Sequence, residues 1–298
     1  MTTFRSTIKR HIPSRLWSPL MQGYLLLRRL GIGVRLTYYS LAAAVERFRR
    51  SDVLAGVPMP PRSLVAFVGG HDFTLVGEVF KRHFVDLAHL RQDHKVLDVG
   101  CGVGRVAVSL TSYLSPDGEY WGFDVAKSGV QWCRKEISPR YPNFHFEWCD
   151  VYNKVYNQTG KQHARGYTFP FDDNTFDFVF AVSVFTHMLP NDLEHYLAEC
   201  SRVLKSGGKC LATFFLLNVE SRTLMAAGSS TQQFAHEIDG CWLADRHMPE
   251  AAVAYEESLV RQLYEKCGFS TENSIYYGSW CDRASFMDYQ DMIIATRR

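Results

Sequence analysis

The most readable chemistry in this 298-residue chain lies in three glycines and three acids that recur at the ends of apolar runs. The segment Val96-Leu-Asp-Val-Gly-Cys-Gly-Val-Gly-Arg105 carries an apolar run into Gly100, Gly102 and Gly104. Glycines there let the backbone turn tightly and approach a ligand closely. A helix that follows offers free N–H groups to polar ligand atoms. Asp98 sits two residues before the first glycine. Asp124 closes the next apolar run, Tyr120-Trp-Gly-Phe-Asp124, where a carboxylate can accept both hydroxyls of a ribose. Asp150 closes the one after, Phe146-Glu-Trp-Cys-Asp150, and can take an amino donor from an adenine edge. The competing role for each acid is a cap on the following helix. Together the three run ends outline a cleft the size of a nucleoside. The spacing is G-x-G-x-G, not the G-x-G-x-x-G of a dinucleotide fingerprint.

These residues need a scaffold that delivers them to one edge. Periodicity supplies it: strands at Val96–Val99, Tyr120–Val125, Phe144–Cys149, Phe176–Val182 and Lys209–Leu217 alternate with helices at Val103–Leu114, Ser128–Ile137 and Asn191–Leu204. A further helix is expected over Ala251–Cys267, closed by Gly268, with strands near Ser274–Trp280 and Met292–Thr296. Such alternation predicts a mostly parallel sheet covered on both faces. In that architecture ligands lie at the carboxyl ends of the strands, near the switch in strand order.

The run from about Lys95 to Leu217 resembles the class I S-adenosylmethionine-dependent methyltransferase family. Asp98–Gly104 matches that family's first motif, Gly122-Phe-Asp124 its ribose-binding acid and Cys149-Asp150-Val151 its adenine-contacting segment. Phe169–Ser183 matches the approach to the fourth strand and the strand itself, and His195–Gly208 the helix and turn before the fifth. The resemblance implies a doubly wound Rossmann-like, mostly parallel seven-stranded sheet. It implies S-adenosyl-L-methionine as cofactor, S-adenosyl-L-homocysteine as product, and the methionine end against the glycine loop. The cofactor-binding set it implies is Asp98, Gly100, Cys101, Gly102, Gly104, Asp124, Val125, Asp150, Val151 and Ser183. The stretch between Asp150 and Phe169 departs from the pattern as an inserted loop over the site.

Methyl transfer from a sulfonium is an in-line displacement with a neutral leaving group, so the protein mainly aligns the acceptor and excludes water. A base is required only for an acceptor proton of high pKa. His187, in Ser183-Val-Phe-Thr-His187, is the candidate base, with ordering of its own loop as the competing role. Candidate acceptor-binding residues are His71 and Phe73 upstream, His236 and Trp242 within an insertion at 218–256, and Trp280 in an aromatic C-terminal segment. For any one of these, membership of an aromatic core is the competing expectation. The acceptor is expected to be a small molecule or lipid/glycan-linked, with O-methylation favoured. The alternatives are an NAD(P)-dependent oxidoreductase, since Asp124 falls 20 positions after Gly104, and a catalytically silent scaffold.

Charge divides the chain in two. Residues 1–50 carry ten Lys/Arg against one acid, a local +9, and the chain totals +2, leaving −7 for the remainder. Residues 1–57 are therefore expected to form a basic helical arm on a methyltransferase domain at 58–298. Within that domain the cofactor core falls at about 74–217, the acceptor insertion at about 218–256 and the C-terminal helix and strands at 257–298. The arm suits an anionic membrane surface. The acidic body argues against nucleic acid as a partner. Eight cysteines without a C-x-x-C pair or a Cys/His cluster at zinc spacing suggest reduced thiols and no metal site. The expected location is cytoplasmic, with peripheral membrane attachment or organellar import through the Arg/Ser/Thr-rich N-terminus left open.

Overall fold

The central strand is Lys95–Val99 (β1), buried at every residue after the first. The computed structural model describes residues 58–67, 72–272 and 274–298. The basic arm and His71 lie outside the described residues. Two helices precede β1, Arg62–Phe67 (α1) and Phe73–Asp86 (α2). Asp72 caps α2 by accepting the N–H of Leu75 at 3.1 Å.

From β1 the chain alternates as its periodicity predicts. Arg105–Leu110 (α3), Glu119–Asp124 (β2), Lys127–Glu136 (α4), Phe144–Trp148 (β3), Phe176–Ala181 (β4), Pro190–Val203 (α5) and Leu204–Phe214 (β5) follow in order. The first five strands run parallel. The main sheet has eight strands, seven of them in the order β10-β12-β5-β4-β1-β2-β3. Here β12 (Asp291–Arg297) is antiparallel to β5, and Phe269–Ser270 (β10) and Ile275–Tyr276 (β11) both pair with β12. The sheet winds one way from β1 to β2 and the other way to β4, so β1 is the switch point.

Aromatic layers cover both faces of this sheet. Phe84 of α2 meets Phe178 and Phe180 of β4 at ring-centroid distances of 4.9 and 4.5 Å. On the opposite face Phe169 packs on Phe123 of β2 at 4.8 Å and on Tyr196 of α5 at 5.1 Å. A sheet buried on both sides reads as continuous apolar runs, which is why β1 and β4 were legible.

Three segments differ from expectation. First, β5 begins directly after α5. Gly207-Gly208, expected as the turn between them, lie instead within a register shift between β5 and β4, with Gly207 at φ 77°. Second, the helix expected from Ala251 starts at Glu257 (α7, Glu257–Lys266), because Val253–Glu256 is a strand (β9). The apolar run Ala252-Val-Ala-Tyr255 is buried and leads into this strand, and periodicity cannot separate such a run from a buried helical turn. Third, only Ile275–Tyr276 of the expected Ser274–Trp280 strand is extended.

The insertion forms a second sheet. Leu216–Leu217 (β6), His236–Ile238 (β7), Cys241–Leu243 (β8) and β9 assemble in the order β6-β9-β8-β7. Val219–Ala226 (α6) follows β6 and starts with a capping box between Asn218 and Ser221. Asp291, fully buried at the start of β12, secures the crossing between sheets. Its Oδ2 accepts the N–H of Leu216 at 2.8 Å and the indole N–H of Trp280 at 2.7 Å. Its Oδ1 accepts from Gly278 N–H at 2.7 Å and from Arg283 at 2.8 Å. Burial pushes its pKa up to about 6, against the pull of Arg283 and of these donors. No helix among the described residues is long and apolar enough to cross a membrane.

Candidate active site

The glycine loop leaves β1 at the switch point in a left-handed path. Gly100, Gly102 and Gly104 have φ of 84°, 57° and 73°. A side chain at Gly100 would place its Cβ 2.4 Å from Val184 Cγ2. The N–H groups of Gly100 and Cys101 both donate to the Phe123 carbonyl, at 2.9 and 3.0 Å, which ties the loop to β2. Gly129 lets α4 approach from the other side, since a Cβ there would meet the Gly102 carbonyl at 2.4 Å.

Asp124 ends β2 beside this loop. Its Oδ2 accepts the Gly102 N–H at 2.7 Å, and its Oδ1 accepts the Ala126 N–H at 2.6 Å. Burial raises its pKa, and the N–H donors of Ala126, Gly102 and Val125 oppose that. Each oxygen keeps a lone pair for a ligand hydroxyl. The competing role of helix cap is not met: Ala126 is itself the N-cap of α4, and the bond from its N–H to Asp124 is a local turn contact.

Asp98 lies deeper than its neighbours, only 3% exposed. Its carboxyl accepts the hydroxyl of the fully buried Tyr120. Burial pushes its pKa up to about 8, the Tyr120 hydrogen bond pulls it down and the charge of Asp124 raises it further. Cys101 is buried as well, and burial lifts its thiol well above the ordinary range. Asp98 lies against Tyr120 and Cys101 against Gly122 of β2.

At the end of β3, Asp150 is half-buried and stays with its own loop. Asn157 Nδ2 donates to its Oδ1 at 3.3 Å, and its carbonyl takes the N–H groups of Lys161 and Gln162. The buried Val151 bridges to Gln162, and the Val125 carbonyl accepts the indole N–H of Trp148 at 3.1 Å. The stretch after Asp150 is thus a folded loop. Asn153 and Lys154 both reach Glu250 in the segment before β9.

Ser183 lies exposed just beyond β4 with a left-handed φ of 57°. Its N–H donates to the hydroxyl of the buried Thr213 at 2.7 Å, and its own hydroxyl donates to Gln290 Oε1 at 3.0 Å. Sequence reasoning missed Gln290, since a lone Gln ahead of a strand carries no motif. His187 Nδ1 is 2.8 Å from the Glu250 carbonyl. A carbonyl only accepts, so Nδ1 carries a proton in this contact. His187 therefore ties the loop after β4 to the second sheet's approach.

Of the acceptor candidates, Trp242 packs against the cluster that holds Trp280, and His236 lies on the strand paired with that of Trp242. Phe73 is 4% exposed at the start of α2. Trp280 is fully buried with its indole spent on Asp291, so it is core and lines no open surface. His236 is exposed on β7, the edge strand of the second sheet, and Trp242 packs under the Arg222 guanidinium at 4.5 Å. The aromatic run was drawn into the second core with Phe215 and Phe234. Among the described residues no three His, Cys, Asp or Glu side chains are grouped to hold a metal ion.

The strand order is that of class I methyltransferases, and the comparisons with known proteins agree on the fold. The methyltransferase-domain family profile matches residues 97–212. A demethylmenaquinone methyltransferase from Staphylococcus haemolyticus is 29% identical over 138 residues, which is 46% of this chain and 50% of that protein. An O-methyltransferase, cnsE, from Penicillium expansum is 28% identical over 120 residues, 40% of this chain and 37% of its own. The chain spans about half the length of the first of these curated relatives and less of the second. Among solved structures, the PH0226 protein from Pyrococcus horikoshii superposes with a TM-score of 0.52 at 19% identity, over 78% of this chain and 93% of that one. Residues 97–212 belong to the class I S-adenosylmethionine-dependent methyltransferase family.

Proposed function

We propose that the chain transfers the methyl group of S-adenosyl-L-methionine to a small-molecule acceptor and releases S-adenosyl-L-homocysteine. The observation that carries this reading is the left-handed Gly100–Gly104 turn, held by Asp124 at the sheet's switch point. A loop without Cβ atoms at its turning points gives the backbone room to cradle a ligand, and the chemistry of the surrounding donors fits a nucleoside. Asp124 would hold the ribose hydroxyls, Asp150 and Val151 the adenine, and the loop the methionine end. The bound cofactor supplies an electrophilic methyl group on a sulfonium with a neutral leaving group. The chain's own share is to align the acceptor and keep water out.

Oxygen is the favoured methyl-accepting atom in this proposal. Relatives named as a ubiquinone/menaquinone biosynthesis C-methyltransferase and as an O-methyltransferase both match it at 28% identity. His187 would serve as base only through Nε2, its Nδ1 being held at Glu250. A lipid-linked acceptor would suit the basic segment 1–50, which would then bring the enzyme to an anionic surface.

Calorimetric titration with S-adenosylmethionine, S-adenosylhomocysteine and NAD(H) tests the core of the proposal. Binding of the two adenosyl ligands and not of NAD(H) is expected. Binding of NAD(H) instead would establish the oxidoreductase alternative, and binding of none would leave a scaffold. Liposome sedimentation with and without residues 1–57 tests the arm, and equal partitioning would remove the membrane role.

A further inference from the structure

Four consecutive side chains ahead of and opening β12 each reach a different element around the carboxyl edge of the sheet. Asp288 Oδ2 meets His83 of α2 at 3.0 Å, and the Tyr289 hydroxyl meets Thr231 in the insertion at 3.1 Å. Gln290 takes the hydroxyl of Ser183 beyond β4, and Asp291 holds the turn into β6. The segment is thereby tied to four places, and Gln290 is the member joined to the residue beyond β4 that precedes Val184, the side chain against the glycine loop.

The position of that residue is specific. Ser183 precedes Val184, the side chain that lies against Gly100 at the start of the glycine loop. Its left-handed backbone is held by Thr213, and its hydroxyl is engaged by Gln290. The Ser183 hydroxyl occupies Gln290 Oε1, and the amide nitrogen of Gln290 makes no hydrogen bond among the described residues. A primary amide whose oxygen is engaged presents two N–H donors. Chains of hydrogen bonds polarise one another, which strengthens such donors.

We propose that Ser183 and Gln290 form the acceptor-side clamp, in which the Gln290 amide donates to a hydrogen-bond-accepting oxygen, a carbonyl or phenolate, beside the atom to be methylated. This rests on the proposed methyl transfer and names the substrate class for it: an acceptor whose reacting atom lies on or next to an oxygen lone pair. A site built to hydrogen-bond a substrate oxygen rejects the analogue that lacks it, because the donor is then left unpaired.

The test uses the full chain loaded with S-adenosylhomocysteine, with 1-tetralone and tetralin as probes that differ by one carbonyl. Ligand-observed NMR should give an affinity for the ketone at least about tenfold above that for the hydrocarbon, the worth of one well-made hydrogen bond. Gln290→Leu and Gln290→Glu should both abolish that preference, and in the second S-adenosylhomocysteine affinity should stay unchanged. Glutamate keeps an acceptor for Ser183, so the second variant retains the native contact while removing the donor. Equal affinity for both probes, no binding of either, or a preference that survives both substitutions overturns the clamp. Loss of S-adenosylhomocysteine binding in the unaltered chain would instead overturn the methyltransferase reading, and the clamp with it.

Discussion

The carboxylate of Asp124 accepts the backbone N–H of Gly102 at 2.7 Å, so the acid at the end of β2 and the middle glycine of the loop after β1 are one unit. Two neighbouring strand ends are locked in register by this bond and by the Phe123 carbonyl, which takes two loop N–H groups. The chain's own hydrogen bonds hold this corner together, and preorganisation of this kind lowers the cost of binding.

Asp124→Ala removes the partner of Gly102 and of Ala126 and strands a ribose hydroxyl pair. It is expected to weaken S-adenosylmethionine binding by at least ~1 kcal/mol, about fivefold by calorimetry. Unchanged cofactor affinity in a folded variant would refute the ribose assignment.

The loop itself is tested by Gly100→Ala. A left-handed alanine costs roughly 1–2 kcal/mol, and its Cβ would stand 2.4 Å from Val184 Cγ2. A drop in melting temperature is expected, with cofactor binding reduced. Adding Val184→Ala should recover the steric part and leave the backbone part. Gly102→Val should abolish cofactor binding by blocking close approach, and a folded variant that still binds would contradict the cradle.

Much of this was legible because it depends on local pattern. The alternation of apolar runs and glycine turns fixed the order of β1 to β5, and strand ends place Asp124 and Asp150 without further information. The second sheet was not legible. Its strands are three or four residues long, or two in β6, and the apolar run before α7 suits a strand and a helix alike. Trp280 shows the same limit in the site: its type suggests a binding surface, whereas the buried carboxylate of Asp291, 11 positions away, claims its indole. Gln290 reaches Ser183 across 107 positions, a contact that only the tertiary fold creates.

Asp98 gives a pH prediction. Its folded pKa, about 8, stands above the ordinary value of 3.8. Its favourable contribution is therefore complete below about pH 4 and is lost as pH rises toward 8. Asp291 loses its own share by about pH 6, so the window from 6 to 8 belongs to Asp98 among these two. Asp98→Asn keeps an acceptor for Tyr120 without the charge. The stability difference between this variant and the parent, from urea unfolding, should grow in the variant's favour across pH 6 to 8, by at most about 1.4 kcal/mol per pH unit. A pH-independent difference would show that Asp98 does not titrate there.

His187 separates holding from proton transfer. Its Nδ1–H is committed to the Glu250 carbonyl, which joins the loop after β4 to the segment before β9. Asparagine can supply the same N–H donor but no imidazole base. His187→Asn is therefore expected to keep cofactor affinity and to retain turnover within about tenfold, with the rising limb of the pH–rate profile unchanged. General-base catalysis contributes typically about 10²–10⁴-fold, so a loss of that size together with disappearance of the limb would assign the base to Nε2. His187→Ala, which removes the tether as well, should lower thermal stability where the asparagine variant does not, and equal stability of the two would show that the Glu250 contact holds nothing in place.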